Sequence, residues 1–252
     1  MMHMMRFLML IAFLATGLAT AAAAFDPQNL SAEGRAALHA EIRSYLLENP
    51  EVLIEVSEVL EQRRRASQEQ QDADLIRDNA GAIYNDGASH VGGNPDGDVT
   101  LVEFIDYRCG YCRRAHPEIA ELIASDGNIR LIVKEFPILG EQSDLSAKFA
   151  IAVRQVAGRE AYEGIGDELM AFRGQVTTDS LRGLAEGHGL DAGAVIERMD
   201  SGEVAAEIAA NRALAQVLGI NGTPAFVLGD AMIRGYLPLD AMRELVSAAR
   251  DG

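Results

Sequence analysis

Two cysteines separated by two residues are the feature of this sequence best suited to chemistry. Cys109 and Cys112 flank Gly110 and Tyr111, and they are the only cysteines among the 252 residues. A disulfide between them would stabilise a fold little, because the entropy that a cross-link removes from the unfolded chain grows with loop length. The spacing suits dithiol exchange, in which one thiolate attacks a disulfide and the second thiol resolves the mixed disulfide. The pair is therefore the candidate active site.

Two other roles for the pair stay open from the residues alone, a structural disulfide and a metal site. Zinc needs two further protein ligands, and only His116 lies near the cysteines in the sequence. Copper(I) favours thiolates and accepts a low coordination number, so a copper-binding protein is a hypothesis from a different class. No methionine or histidine cluster accompanies the cysteines. We therefore assign no metal site and no cofactor.

The first 24 residues have the composition of an export signal. Arg6 supplies positive charge, residues 7–14 form an apolar run, and Ala22 to Ala24 provide small residues for cleavage before Phe25. The run is much shorter than the roughly 20 apolar residues that a membrane-spanning helix needs. We expect an exported, periplasmic protein, the alternative being a retained N-terminal anchor. In an oxidising compartment, a protein that keeps a single close pair of cysteines is expected to use it for chemistry.

The charge balance narrows the choice of partners. The whole chain carries a formal net charge of −16, with 22 basic and 38 acidic residues. Nucleic acid is therefore not an expected partner, because its binding depends on neutralising phosphates with lysine and arginine. The acidity also disfavours anionic membranes, but it does not identify a substrate.

Residues 25–80 are predicted to form a helical oligomerisation segment and a connector. Two helices are expected, one before Asn49 and one from Pro50, because asparagine caps helices and proline suits their first turn. Each helix carries one apolar stripe, formed by Leu38, Ile42, Tyr45 and Leu46 in the first and by Val52, Leu53, Val56, Val59 and Leu60 in the second. The polar residues 61–74 indicate an exposed connector. We favour packing between copies of the chain, the alternative being packing on the main domain.

The second part of the chain, from about residue 81, contains a strand–helix–strand unit. Val99 to Tyr107 is rich in the residues of a buried strand, a helix is predicted from Cys109 to about Ser125, and Ile129 to Phe136 is a further strand. The cysteine pair lies where the first strand enters the helix. There the free N–H groups of the first helical turn favour a thiolate.

This position predicts separate roles for the two thiols. Cys109 is the attacking group, and Cys112, one turn deeper in the helix, resolves the mixed disulfide. Arg108, Arg113 and Arg114 add positive charge nearby, which contributes little if their side chains point into water.

The rest of the chain is predicted to be helical over about 140–218 and to return to strands at the end. The expected helices are Lys148 to Val156, Ala161 to Phe172, Leu181 to His188, Ala194 to Met199 and Val204 to Leu218. A hairpin around Gly229 and Asp230 and a closing helix over 239–249 follow. This order gives an α/β fold with an inserted helical domain.

The motifs together resemble the thioredoxin-fold thiol-disulfide oxidoreductases, and the helical insertion resembles the DsbA-like branch. The matching residues are Val102, Glu103 and Phe104 before the cysteine pair, Pro117 within the active-site helix, and Thr223 with Pro224 before a late strand. The resemblance covers about residues 81–250, within a domain assigned to 81–252. It implies a thioredoxin fold with an inserted helical domain, preceded by the N-terminal helical segment.

The resemblance also implies roles for residues outside the cysteine pair. Glu103 matches a buried acid that relays the proton of the resolving cysteine, the alternative being an ordinary exposed strand acid. Lys134 on the neighbouring strand is a candidate for neutralising it. Thr223 and a cis Pro224, together with Gly110 and Tyr111, correspond to the surface that binds an extended substrate.

The N-terminal helices resemble the extension of DsbA-like proteins of the suppressor-of-copper-sensitivity (ScsC) type, some of which are trimeric isomerases. This resemblance implies a homo-oligomer, with a trimer as the form that some members of this type take. Gly110, Tyr111 and Thr223 are similar to isomerases and reductases rather than to strong oxidases. A disulfide isomerase or reductase is therefore favoured, with a dithiol oxidase and a copper-delivery protein as alternatives. The expected partners are secreted client proteins with cysteines and a membrane thiol-disulfide reductase or oxidase.

Overall fold

A computed structural model describes residues 29–251 of the chain. The predicted export signal lies outside these residues. The chain divides into two compact units between Glu61 and Gln62. Within the described part, no helix is long and apolar enough to cross a membrane.

The first unit is built from helix α1 (Ala32–Glu48) and the start of helix α2 (Glu51–Asp78). Ser31 caps α1, because its hydroxyl accepts a hydrogen bond from the N–H of Gly34. The chain turns at Asn49, whose side-chain amide donates to the carbonyl of Tyr45 at 2.9 Å. The two predicted helices are therefore present, and α1 buries none of its residues.

The second unit contains a five-stranded mixed sheet. Its strands are β1 (His90–Gly93), β2 (Val99–Ile105), β3 (Ile129–Glu135), β4 (Ala225–Leu228) and β5 (Ala231–Arg234). They lie in the order β1-β3-β2-β4-β5. Strands β2 and β3 are parallel, whereas the other neighbouring pairs are antiparallel. The sheet therefore has the strand–helix–strand unit at its centre and the late hairpin at one edge.

Helices cover both faces of this sheet. They are α3 (Ala80–Tyr84), α4 (Gly110–Asp126), α5 (Glu141–Ala157), α6 (Arg159–Ala171), α7 (Thr178–Gly187), α8 (Ala192–Met199), α9 (Gly202–Val217) and α10 (Leu239–Asp251). On β2, Leu101 packs in one cluster with residues of α4 and α10. Val102 and Phe104 point the other way, into a cluster with residues of α9 and the end of α2. Side chains alternate across a strand, so β2 is buried on both faces.

The helical insertion between β3 and β4 comprises α5 to α9, at the place where the sequence predicts it. Phe149 and Ile151 of α5 are fully buried in a cluster with Ile165, Leu181 and Val195 from the other insertion helices. The same cluster contains Cys109 and Cys112. The insertion therefore shares a core with the cysteine pair.

Two elements differ from the sequence interpretation. Strand β1 and helix α3 were not predicted, and both are short, at 4 and 5 residues. The second unit also begins at Gln62 rather than near residue 81. Residues 61–71 are exposed, as predicted for a connector, but α2 continues to Asp78 and its end is buried, since Ile76 is 4% exposed and packs in the core.

Candidate active site

The cysteine pair begins helix α4 directly after a turn that Asp106 organises. The Asp106 carboxylate accepts hydrogen bonds from the N–H groups of Arg108, Ile138 and Leu139. The Asp106 carbonyl accepts from the N–H of Cys109 at 3.0 Å. Asp106 is 1% exposed, so these bonds are made in a dry environment where they are strong. The turn thus holds Cys109 at the N-cap of α4.

The two thiols differ sharply in their environments. The pKa of Cys109 is lowered to about 5, mainly because Cys112 donates a hydrogen bond to it. Hydrogen bonds from the backbone N–H groups of Tyr111 and Cys112 lower this pKa further. The same bond to Cys109, together with burial, raises the pKa of the Cys112 thiol far above its usual range. Cys112 is 0% exposed, whereas Cys109 is 8% exposed. The geometry thus favours a thiolate on Cys109 and a thiol on Cys112.

The loop before β4 completes the surroundings of Cys109. The Thr223–Pro224 peptide bond is cis, as the family resemblance implies. The Sγ of Cys109 lies 3.1 Å from the carbonyl oxygen of Thr223, although 114 residues separate them in the sequence. The Thr223 hydroxyl is buried without a hydrogen-bond partner in this structure, and its proximity helps to lower the pKa of Cys109. Thr223 and Pro224 therefore lie beside the cysteine pair.

Glu103 is buried beneath the pair. It lies on β2, is 5% exposed, and burial raises the pKa of its carboxyl to about 8. Its charge in turn contributes to the raised pKa of Cys112. It also lines a cavity of about 320 Å³ between the sheet, α4 and α6. A protonated carboxyl next to a buried thiol is suited to taking and giving a proton near neutral pH.

Lys134 does not neutralise Glu103. Its ammonium group donates to the carboxylate of Asp86 at 2.6 Å and to the carbonyl of Ala82 at 2.8 Å. The prediction was wrong because Lys134 is paired with Phe104, the residue after Glu103, and so lies on the other face of the sheet.

Gly110 and Tyr111 lie at the start of α4. Tyr111 is 62% exposed, and its ring stacks with that of Tyr236 at a centroid distance of 6.3 Å. Space is open around Gly110, where a Cβ atom would meet nothing within 4 Å. The guanidinium of Arg114 lies 4.4 Å from the centre of the Tyr236 ring. An aromatic, partly cationic surface therefore lies beside the cysteine pair.

His116 contacts an aspartate rather than either thiol. Its Nε2 lies 2.7 Å from Oδ1 of Asp167 on α6, at the edge of the cavity that Glu103 lines. Over residues 29–251, no group of three or more histidine, cysteine, aspartate or glutamate side chains is placed to hold a metal ion.

Sequence reasoning missed a buried acid network close to the site. Oε1 of Glu135 accepts hydrogen bonds from the hydroxyls of Tyr107 at 2.8 Å and Tyr162 at 2.7 Å. Burial raises the pKa of Glu135 to about 8, even though these two bonds oppose the shift. Asp106 was missed as well. An aspartate three residues before the first cysteine was a local signal for it, whereas the glutamate–tyrosine contacts span 27 and 28 residues.

Comparison with known proteins identifies the family. A family model described as "DSBA-like thioredoxin domain" matches residues 100–247, which include the cysteine pair, Glu103, Thr223 and Pro224. The chain belongs to this DsbA-like thioredoxin family. A second model, "Copper resistance protein ScsC N-terminal domain", matches residues 35–67. The DsbA-like fold and the ScsC-type N-terminal segment, both predicted from the sequence, are therefore confirmed.

Solved structures agree with this DsbA-like assignment. A thioredoxin-like oxidoreductase from Silicibacter pomeroyi DSS-3 is 42% identical, with a TM-score of 0.64 over 68% of this chain and 98% of that one. BcfH from Salmonella enterica Typhimurium is 29% identical, with a TM-score of 0.71 over 86% of this chain and 96% of that one. ScsC from Proteus mirabilis is 26% identical, with a TM-score of 0.63 over 87% and 98%. Residues 100–247 thus form a DsbA-like thioredoxin domain that is similar in structure to the ScsC and BcfH proteins.

Curated relatives of this DsbA-like chain include much longer proteins. The Na(+)/H(+) antiporter NhaA 1 of Salinispora arenicola is 29% identical over 164 residues, which are 65% of this chain and 25% of that protein. NhaA 3 of Salinispora tropica is 27% identical over 160 residues, 24% of its length. This chain therefore spans about a quarter of the length of the curated relatives it matches.

Proposed function

We propose that this protein is a periplasmic disulfide isomerase or reductase in which Cys109 attacks and Cys112 resolves. The observation that carries the roles of the two cysteines is the opposite environment of their thiols. The pKa of Cys109 is lowered to about 5, so Cys109 is a thiolate at neutral pH. The pKa of Cys112 is raised by its hydrogen bond to Cys109 and by burial, so Cys112 holds its proton until the first step has occurred.

The proposed reaction begins with attack on a client disulfide. The Cys109 thiolate attacks one sulfur, a new S–S bond joins enzyme and client, and the other client sulfur leaves as a thiolate that takes up a proton. For isomerisation, a different client thiolate then attacks the mixed disulfide and releases Cys109 unchanged. For reduction, the ionised form of Glu103, a minor fraction at neutral pH, takes the proton of the Cys112 thiol, and the Cys112 sulfur attacks Cys109. The client then leaves as a dithiol and the enzyme keeps both sulfurs as a disulfide.

Exposed apolar side chains of the first unit support an oligomeric enzyme. Over residues 29–61, eight large apolar side chains are exposed: Ile42, Tyr45, Leu47, Leu53, Ile54, Val56, Val59 and Leu60. An apolar surface of this kind is typical of a protein–protein interface. Because the ScsC N-terminal family model covers the same segment, we propose that these residues join copies of the chain, as a trimer. An oligomer would shield reduced cysteines from reoxidation, which an isomerase requires.

The proposed location and partners follow from the sequence and the relatives. The export signal predicts the periplasm, and a 27% identical structure is titled a periplasmic thioredoxin-like protein from Salmonella enterica serovar Typhimurium. We propose secreted cysteine-containing proteins as clients. A membrane thiol-disulfide reductase would return the pair to its reduced form.

Reactivation of a scrambled disulfide protein in a glutathione buffer tests the proposal. The wild-type chain is compared with Val56→Glu/Leu60→Glu, which places two charges among the exposed apolar side chains. The matched control is Ser57→Glu/Gln62→Glu, which adds the same charge at polar positions of the same helix. We expect the first variant to be monomeric by light scattering and to lose isomerase activity, whereas the control keeps both. No reactivation by the reduced wild-type chain would reject an isomerase.

A dithiol oxidase is the second candidate, and the low pKa of Cys109 is the observation that favours it. A stabilised thiolate stabilises the reduced form and so makes the disulfide a stronger oxidant. The reduction potential against glutathione and the redox state of the pair in cells separate the two roles. A pair that is mostly oxidised in cells would support the oxidase, whereas a mostly reduced pair would support the isomerase or reductase.

A further inference from the structure

Three arginines from three different segments come together beside Cys109. Arg108 precedes the cysteine, Arg113 lies on α4, and Arg173 lies in the loop after α6. A guanidinium nitrogen of Arg108 donates to the carbonyl of Gly174 at 3.3 Å, which ties it to the loop that carries Arg173. The Nε of Arg113 donates to the carbonyl of Tyr107 at 2.8 Å. We call these three residues the arginine cluster.

The arginine cluster lacks the carboxylate partners that several other arginines of this chain have. Burial lowers the pKa of Arg113, and the charges of Arg108 and Arg173 lower it further. Elsewhere Arg154, Arg212, Arg234, Arg243 and Arg250 each form an ion pair with a carboxylate. Among the described residues, no carboxylate lies within ion-pair distance of Arg108, Arg113 or Arg173, and one terminal nitrogen of Arg113 is buried without a hydrogen-bond partner. Three unpaired positive charges in a chain of net charge −16 therefore surround one site.

The Cys109 thiolate attracts Arg113, but stabilising this thiolate does not account for the whole cluster. Hydrogen bonds from Cys112, Thr223 and the backbone N–H groups are the leading causes of the low pKa of Cys109. Asp106 attracts Arg113, but its carboxylate already accepts three backbone N–H bonds. The positive charge is therefore free to act on a molecule that approaches Cys109, and Arg173 is exposed to receive it.

We propose that the arginine cluster binds a carboxylate side chain close to the reacting cysteine of a client protein. The inference rests on the proposed function, because it takes attack by Cys109 on a client disulfide as given. Guanidinium groups bind carboxylates in a bidentate manner, which suits aspartate or glutamate in an extended client segment. The acidic remainder of the protein repels the same segment, so the cluster also guides it to Cys109. The enzyme thus prefers disulfides with acidic neighbours.

Single-turnover exchange with matched peptides tests this preference. Three peptides carry one cysteine in a mixed disulfide with a neutral thiol and differ only in having glutamate, glutamine or lysine beside that cysteine. At low salt we expect the reduced full chain to react about fivefold to tenfold faster with the glutamate peptide than with the lysine peptide, a difference that salt reduces. Arg173→Gln should reduce the ratio to about twofold, and Arg173→Glu should invert it. Arg182→Gln, at an exposed arginine on α7, is the control for loss of one positive charge.

The outcomes separate this inference from the proposed function. Equal rates with all three peptides would overturn the carboxylate subsite while leaving exchange by Cys109 intact. No reaction with any peptide would instead reject the proposed function. If Arg173→Gln slows all three peptides equally and raises the pKa of Cys109 in a thiolate titration, the cluster serves the thiolate and the inference is wrong. Circular dichroism and thermal unfolding of each variant establish that the fold is unchanged.

Discussion

Glu103 and Lys134 lie on neighbouring parallel strands but on opposite faces of the sheet. Glu103 is paired with Val133, and Lys134 is paired with Phe104. Glu103 therefore faces the cavity beside α4, whereas Lys134 faces Ala82 and Asp86. Within residues 29–251, the Glu103 carboxyl thus has no buried cation to balance its charge, and burial alone sets its high pKa.

Glu103→Gln should stabilise the protein as the pH rises above 5. In the folded chain the pKa of Glu103 is about 8, against a usual value of 4.5. Between these values the folded state keeps a proton that the unfolded state loses, so the wild type loses stability as the pH rises through this window. The shift corresponds to at most about 5 kcal/mol at pH 8. Urea unfolding between pH 5 and pH 8 should therefore show a smaller loss of stability for the variant.

Two comparisons make this test specific. Glu160→Gln removes an exposed glutamate and should leave the pH dependence of the wild type unchanged. An equal pH dependence in Glu103→Gln and the wild type would contradict a raised pKa. Glu103→Gln should also slow release of a mixed disulfide by Cys112, because a carboxyl group that acts on Cys112 and can accept its proton is lost.

Lys134→Met should destabilise the fold without changing the titration of Glu103. The variant leaves the Asp86 carboxylate without its cation, and breaking a buried pair costs about 3 kcal/mol. Burial raises the pKa of Asp86, but bonds from Lys134 and Ser89 outweigh it and bring the pKa to about 2. The measurement is urea unfolding of Lys134→Met with and without Glu103→Gln. Additive effects at each pH would support independent sites, and a large coupling would contradict the opposite-face arrangement.

The pKa of Cys109 should depend on which side chain replaces Cys112. Because the hydrogen bond from Cys112 is the main cause of the low value, Cys112→Ala should move the pKa of Cys109 up from about 5 toward its usual 9. Cys112→Ser keeps a hydroxyl donor and should give a smaller increase. Alkylation rates measured against pH report the thiolate fraction in each variant. Identical profiles for alanine and serine would contradict this assignment.

Local sequence patterns predicted the strands and the helix that hold the cysteines, because each of these elements can be recognised from residues that are neighbours in the sequence. Strand β2, helix α4 and strand β3 lie within a few residues of their predicted limits. Strand β1 has four residues, two of them glycine, so it carries almost no strand signal. The face of the sheet on which Lys134 lies, relative to Glu103, depends on the register between two strands. No local pattern specifies that register. The contact of Cys109 with Thr223 spans 114 residues, so only a family resemblance pointed to it.

Thr223→Val should raise the pKa of Cys109, whereas Thr223→Ser should not. Valine has nearly the shape of threonine but lacks the hydroxyl that favours the Cys109 thiolate. We expect an increase of about one pH unit, which corresponds to the roughly 1.4 kcal/mol of one hydrogen bond to a charged group. Thiolate ultraviolet absorbance followed against pH measures both variants. A valine variant that titrates like the wild type would show that the hydroxyl does not act on Cys109.

The end of α2 should detach from the rest of the second unit when Asp72 loses its charge. Two nitrogens of Arg234 on β5 donate to the Asp72 carboxylate, each at 2.8 Å, and Ile76 packs in the core one turn later. The Asp72 side chain is 7% exposed, so water does not replace these bonds easily.

Asp72→Asn keeps the shape of the side chain but removes one acceptor and the charge, which should cost about 2 kcal/mol locally. We therefore expect amide hydrogen exchange over residues 72–78 to become at least tenfold faster, with little change in β2. Asp74→Asn is the matched control, because Asp74 pairs with Arg77 on the exposed side of the same helix. Unchanged exchange at 72–78, or an equal increase in both variants, would show that the Asp72–Arg234 pair does not hold α2 in place.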